Sequence, residues 1–279
     1  MDIKQIYCDY CADVNSAYLE TTFDIFDNKI FLDPDEVSSK LYDALYKLFF
    51  YDYRKMLETG IKCVQIIGQK YKGPLFYSFF IKDNPMSNEV EEILSVDYIG
   101  PSKFQSYDIA KLSVDKIKIN IKESRTLGGH ILWPRATNNK TINQARGGDS
   151  GCGLYDRTDW TFLLLKHYYS VIDIVDENDR LSAYLSDIKN VFINQKISLD
   201  DINRFRNLFE AFDLSREWFK KFKSFGGFCD FFILKGSFIT DSYEVVELTS
   251  YFPIKPDREG YLEYIDNNLK AIRIRNSKF

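Results

Sequence analysis

The central segment, residues 122–157, holds the residue types best suited to chemistry on an anion. It contains six basic and three acidic side chains, although the formal net charge of the chain is −4. Six of the 14 glycines also fall within it, and glycine allows tight turns or a close approach of the backbone to a ligand. Guanidinium groups bind phosphate or carboxylate through planar, paired donors, which backbone amides in glycine-rich turns can supplement. The ligand-binding residues predicted on this basis are Arg135, Arg146, Arg157, Gly128, Gly129 and Asn143.

A structural role for two of these arginines is the alternative interpretation. Arg146 and Arg157 can pair with Asp149, Asp156 or Asp159 and so hold the segment against a sheet. A buried charged network of this kind is stable when every member has its partners. Because ion-pair networks of Arg and Asp are often structural, we favour this interpretation over the anion site.

His130 is the residue of the segment best suited to acid–base chemistry near neutral pH. The predicted catalytic pair is His130 and Asp156, with Asp149 as a second carboxylate able to orient the ring. The favoured alternative is that His130 begins a strand and its ring bonds a backbone carbonyl. Ser150 and Cys152 are nearby nucleophile types, but neither lies in a G-x-S-x-G elbow. The other histidine, His167, falls on an apolar helix pattern and is expected in the core or at its rim.

The sequence predicts neither a cofactor nor a metal. The paired glycines do not form a G-x-G-x-x-G or a G-x-x-x-x-G-K-[ST] motif, which excludes the common nucleotide loops. Only Cys8 and Cys11 of the five cysteines have ligand-like spacing, and a zinc site needs four ligands. Scattered, unpaired cysteines are typical of a reducing compartment, so a cytoplasmic location is expected.

Charge and hydropathy narrow the classes of partner. An acidic chain is a poor main binder of nucleic acid, because neutralising phosphates dominates that affinity. A membrane partner is not expected either, since no apolar run approaches the ~18 residues of a spanning helix. A basic run closes the chain and is expected to be a solvated end. This run consists of Lys270, Arg273, Arg275 and Lys278.

The elements that must position these residues begin with a helix. Asp33 and Pro34 predict its start, apolar residues at helical spacing continue it to Met56, and Gly60 is placed to end it. Two β-rich runs, 61–67 and 75–81, then predict a hairpin, and an alternating run at 114–121 predicts a third strand.

Helices dominate the following part of the chain and strands are predicted to return near its end. We expect helices over 158–169 and 181–192, one capped by Ser198, and one capped by Ser215 and ended by Gly226-Gly227. Strands are predicted at 228–234 and 243–248, and a short helix at 261–265. This order indicates an α+β fold, with an antiparallel or mixed sheet, segregated helices and a central Gly-rich loop segment. One domain over 1–279 is predicted, with a helical sub-region at 157–225.

Three motifs in and after the central segment resemble those of an uncharacterised bacterial family of the DUF6994 type. They are GGHILWPR at 128–135, TINQARG at 141–147 and DRTDWT at 156–161, before Tyr168-Tyr169. The resemblance extends to the Asp33-Pro34-Asp35 helix start, the run at 228–234, the YLEY at 261–264 and the closing Arg275-Asn276. It implies a shared fold unit and brings no activity with it.

Two functions of different classes follow from these observations. The first is a non-enzymatic protein that binds a macromolecule, with a protein as partner, for instance a phage protein that binds and blocks a host defence complex. The alternative is an enzyme that binds a nucleotide or another phosphate ester through residues 122–157 and uses His130 as acid or base. We favour the first, because the sequence contains no readable catalytic constellation.

Overall fold

The computed structural model describes residues 39–51, 53–70, 75–99, 111–113, 116, 119–120, 123–124, 126–135, 142–146, 157–191, 198–250 and 257–279. Several sequence-based predictions lie outside this part of the chain. They include the predicted helix start at Asp33, the Cys8 and Cys11 pair, and the carboxylates Asp149 and Asp156.

Within these described ranges, four antiparallel strands form a meander in which each strand pairs with the next along the chain. The predicted hairpin is confirmed, with Cys63 opposite Lys82 and Lys70 opposite Leu75. At the other edge, Tyr98 pairs with His130. The strands are β1 (Cys63–Lys70), β2 (Leu75–Lys82), β3 (Glu92–Tyr98) and β4 (His130–Pro134).

The third strand is β3, and the prediction of a strand at 114–121 is wrong. The residues described in that run, Lys116, Ile119 and Asn120, are helical. The alternation of apolar and polar residues there also places Val114, Ile117 and Ile121 at helical spacing. Ile119 falls off that stripe and is 53% exposed. The sequence pattern was therefore ambiguous between the two periods.

The first helix predicted from the sequence is two separate helices in the structure. The helix predicted to run to Met56 is interrupted after Phe49 and resumes at Tyr53. Gly60 ends the second helix as predicted, since its φ is +70° and its N–H donates to the Met56 carbonyl over 3.0 Å. The helices with described bounds before and within the central segment are α1 (Ser39–Phe49), α2 (Tyr53–Thr59) and α3 (Ile142–Arg146).

The helices after the central segment pack as a layer. Ser198 caps one of them as predicted, with its Oγ accepting from the Asp201 N–H in a capping box. The strand predicted at 228–234 is wrong, because a helix occupies most of that run, and 243–248 contributes only an isolated bridge at Val245. The helices are α4 (Thr158–Val171), α5 (Glu177–Val191), α6 (Leu199–Asp213), α7 (Arg216–Lys220), α8 (Phe225–Phe231) and α9 (Arg258–Asn276).

The core lies between the sheet and the helices, including α1. All five residues of β4 are buried, although β4 is the last strand of the described sheet. The Trp133 ring stacks on Phe228 with centroids 5.8 Å apart and also contacts Phe162. Phe228 is fully buried. Helices therefore cover this edge of the sheet, and the α+β class is confirmed.

Candidate functional site

Arg146, the last residue of α3, lies in the interior with 4% of its surface exposed. Its Nη1 lies 2.6 Å from Oδ2 of Asp97, a β3 residue that is itself 6% exposed. The other guanidinium nitrogens donate to hydroxyl oxygens of α4, Nε to Thr161 over 3.1 Å and Nη2 to Thr158 over 3.3 Å. The side chain therefore joins the sheet to the start of α4.

Arg157 precedes α4 and is 2% exposed. Its Nε and Nη2 donate to the two carboxylate oxygens of Asp159 over 2.8 and 2.7 Å, a bidentate pair. The guanidinium also lies over the rings of Tyr264 and Trp160, 5.5 and 5.8 Å from their centroids. Burial lowers the pKa of Arg157, but the charge and hydrogen bonds of Asp159 outweigh it and leave that pKa above its usual value. The predicted pairing with Asp159 is confirmed.

Thr158 connects these two arginines to α9. Its backbone N–H donates to the Tyr264 hydroxyl oxygen over 2.9 Å, and its hydroxyl donates to the Ile99 carbonyl. The Asn268 amide donates to the same carbonyl over 3.0 Å. Burial raises the pKa of Tyr264 well above its usual range, so the phenol is neutral. The interior polar cluster consists of Asp97, Arg146, Arg157, Thr158, Asp159 and Tyr264.

Gly128 and Gly129 are required by close packing. They end a 3₁₀ turn, Leu127–Gly129, that leads into β4. A Cβ on Gly129 would lie 1.7 Å from the Ser124 carbonyl oxygen, and one on Gly128 would lie 2.4 Å from Asn276 Oδ1. The Gly128 N–H donates to that same Asn276 oxygen over 2.6 Å. Gly128 therefore packs against the chain's own last helix, whereas Gly129 packs against the Ser124 backbone.

Arg275 fixes the same turn from α9. Its side chain is fully buried, and it donates to three backbone carbonyls, those of Phe232, Gly128 and His130, over 2.6 to 3.2 Å. Burial lowers the pKa of Arg275 to about 9, so the guanidinium stays protonated at neutral pH. The expectation of a solvated basic end is wrong at this residue. The spacing of the sequence indicated this burial, because Arg275 continues the buried face of α9 at helical spacing.

The structure places His130 at the start of β4 and Arg135 just past its end. His130 begins β4 as the structural alternative predicted, is fully buried, and its Nδ1 lies 2.6 Å from the Thr126 carbonyl oxygen. Arg135 is exposed just past the other end of β4, about 16 Å away at the rise of a strand. Arg146 is in the interior, the Asn143 side chain is outside the described residues, and so is Asp156.

Sequence reasoning missed three members of the interior contacts. Asp97 gave no signal because it is a single acid within a short strand, far from Arg146 in the sequence. Tyr264 and Arg275 belong to motifs of the family resemblance, yet their contacts with residues 128 and 158 span more than 100 positions. The motifs at 128–135 and 156–161 therefore meet on one helix, α9.

The other histidine, His167, pairs with a carboxylate between two helices. His167 Nδ1 lies 2.5 Å from Asp187 Oδ2, a pair between α4 and α5 at the rim of the core. In the part of the chain that the structure describes, no three His, Cys, Asp or Glu side chains are grouped as a metal ion requires. Among those same residues, none of the helices combines the length and apolarity that a membrane crossing requires.

Comparison with known proteins identifies the family. The model of a family of unknown function, DUF6994, matches residues 19–195, which is more than half of the chain. The match includes β1 to β4 and α1 to α5, whereas α6 to α9 lie beyond it. No curated protein and no solved structure shows significant similarity. The chain belongs to the DUF6994 family, as its motifs predicted.

Proposed function

We propose that this protein acts by binding another macromolecule and not by turnover of a small molecule. The observation that carries the proposal is the placement of Arg146 and Arg157, which are 4% and 2% exposed and are held by Asp97 and Asp159. Their guanidinium donors bind side chains of the chain itself and stabilise the fold. Releasing either guanidinium for a ligand would leave a buried carboxylate without its counter-charge, which is costly.

The alternative, an enzyme acting on a phosphate ester, finds less support in the geometry. It requires His130 to reach a solute, but that ring is enclosed and turned toward the Thr126 carbonyl. It also requires a basic group that is open to solvent near the ring, but the exposed arginine of the predicted set, Arg135, lies about 16 Å along the strand. A general acid or base must come within hydrogen-bond reach of its substrate.

The finer parts of the function stay predictions. A protein partner is favoured over nucleic acid because the chain is acidic. Blocking of a host defence complex, a phage origin and a cytoplasmic location rest on the sequence arguments alone. The ligand-binding role of Arg135, Arg146, Arg157 and Asn143 likewise stays a prediction.

A thermal-shift comparison tests the proposal. The purified protein is heated with ATP, with GTP and with inorganic phosphate, and phosphate release from the nucleotides is measured in parallel. A ligand that binds only the native state raises its apparent stability. Because we propose that the protein binds none of these ligands, we expect neither a rise in Tm nor phosphate release. His130→Ala and Arg146→Lys serve as matched variants, each compared with and without ligand so that lost stability does not obscure the result. A nucleotide-induced rise in Tm that either variant abolishes would overturn the proposal.

A further inference from the structure

One face of the molecule concentrates negative charge. The acidic face consists of residues 89–92, 173–180 and 213–221, from the end of the β2–β3 connection, the α4–α5 connection and the α6–α7 junction. These residues include nine acidic and four basic side chains, whereas the whole chain has 41 acidic and 37 basic residues. The face therefore has a larger net negative charge than the entire chain.

The two arginines of the acidic face are turned inward, where they hold its parts together. Arg180 donates to both carboxylate oxygens of Asp213 over 2.7 and 2.6 Å and to the Val175 carbonyl over 3.0 Å. Arg216 donates to the carbonyls of Ile172 and Ile174 over 2.7 and 3.1 Å. The α4–α5 connection is thereby fixed against the α6–α7 junction, and neither guanidinium offsets the outward acids.

The same Arg180 contacts hold two exposed aliphatic residues on this face. Val175 is 88% exposed and Leu214 is 51% exposed. One guanidinium, that of Arg180, contacts both the Val175 backbone and the carboxylate of Asp213, which precedes Leu214. Single exposed aliphatic residues are ordinary, whereas an exposed apolar surface with a polar rim is typical of an interaction site.

The end of the β2–β3 connection extends this face. Glu91 lies 3.2 Å from the Lys221 ammonium. The Ser215 hydroxyl, next to Leu214, lies near enough to Glu92 to oppose the rise in the pKa of its carboxyl. Val90, a further aliphatic residue at 36% exposure, directly precedes them. The other lysine, at 220, pairs with Glu217 over 3.5 Å. Both lysines are therefore already matched by acids of the face.

We propose that the acidic face docks a basic, amphipathic segment of a partner protein, whose apolar side chains cover Val175 and Leu214. This deepens the proposed binding function and rests on it. Charge complementarity selects the occupant, because steering and register at interfaces follow opposite charges. A second copy of the chain seated on the same face would bring two acidic surfaces together. Nucleic acid and anionic lipid carry the wrong sign of charge.

A peptide titration tests the docking face. The probe is a fluorescent helical peptide of lysine and leucine with its leucines on one side, titrated with the full chain and followed by anisotropy. We expect Val175→Ser/Leu214→Ser to weaken binding at least about tenfold, since central apolar anchors dominate such interfaces. The matched control Leu199→Ser changes a side chain that is 80% exposed but outside the face, and it should leave affinity within about twofold.

Charge variants provide the second arm. Asp173→Asn/Glu177→Gln should weaken binding, and the difference from the wild type should shrink between about 50 and about 300 mM salt because exposed charges are screened. Glu58→Gln, on α2, is the charge control and should have no effect. Absence of peptide binding to the wild type, or equal binding to the wild type and Val175→Ser/Leu214→Ser, would overturn the docking face. The proposed function fails separately, through the nucleotide-dependent Tm shift described above.

Discussion

The pair of Arg146 and Asp97 offers the sharpest test of whether the arginines of the central segment serve the fold. The two side chains are 5% and 9% exposed and their charged atoms lie 2.6 Å apart. Arg146→Met removes the positive charge beside a buried carboxylate, which should lower the free energy of unfolding by about 3 to 5 kcal/mol. Since small proteins are stable by about 5 to 15 kcal/mol, the variant should still fold. Urea unfolding followed by circular dichroism measures the loss.

A double variant separates the charge from the packing. Arg146→Met/Asp97→Leu removes both charges and should recover most of the stability, because apolar replacement of a whole buried pair is often neutral. Lys62→Met is the matched control, since Lys62 and Asp83 form a pair at 3.4 Å with both side chains about two-thirds exposed. That control should change stability little. A loss below about 1 kcal/mol in Arg146→Met would refute the structural role.

Three further variants probe the same framework by urea unfolding. Burial raises the pKa of the Glu92 carboxyl from 4.5 to about 7, so its contribution to the stability of the fold is fully present below pH 4.5 and is lost as the pH rises through 7. Glu92→Gln should match the wild type at pH 4 and exceed its free energy of unfolding by about 2 to 3 kcal/mol at pH 8. Equal stabilities at pH 8 would contradict this. Gly129→Ala places a methyl group against the Ser124 carbonyl and should lower the free energy of unfolding by about 3 kcal/mol. Gly60→Ala, at φ +70° with open space around it, should lower it by about 1 kcal/mol. Equal losses in the two variants would show that the close packing at Gly129 does not matter. A lysine at position 275 cannot reproduce the forked hydrogen bonds to three carbonyls, so Arg275→Lys should lower the free energy of unfolding by about 2 to 3 kcal/mol. An unchanged unfolding midpoint would show that these bonds do not stabilise the fold.

Local signals in the sequence predicted the elements that local chemistry determines. The Ser198 cap and the Gly60 stop are side-chain and backbone effects within one turn, and both are present. The hairpin followed from two β-rich runs around a short connection. The helix of α8 was missed because aromatic residues favour strands, although Phe228, Phe231 and Phe232 have helical spacing and are all buried.

Contacts distant in the sequence could not be predicted in the same way. The partner of Arg146 is Asp97 on a strand that the sequence analysis did not identify, and no local pattern links the two. The burial of Arg275 depends on carbonyls of Gly128, His130 and Phe232, which only the folded chain brings together. The sequence indicated that residues 122–157 were unusual, but whether their charges face water or the interior depends on packing.

Site-specific photo-crosslinking tests the central claim most directly. A photoreactive phenylalanine analogue replaces Leu214 on the acidic face, Arg135 in the central segment, or Leu199 as an exposed control, in cells that naturally carry this chain. Binding of a basic protein at the acidic face predicts one discrete protein adduct from position 214 and none from the other two. An adduct from position 135 with none from position 214 would contradict the account.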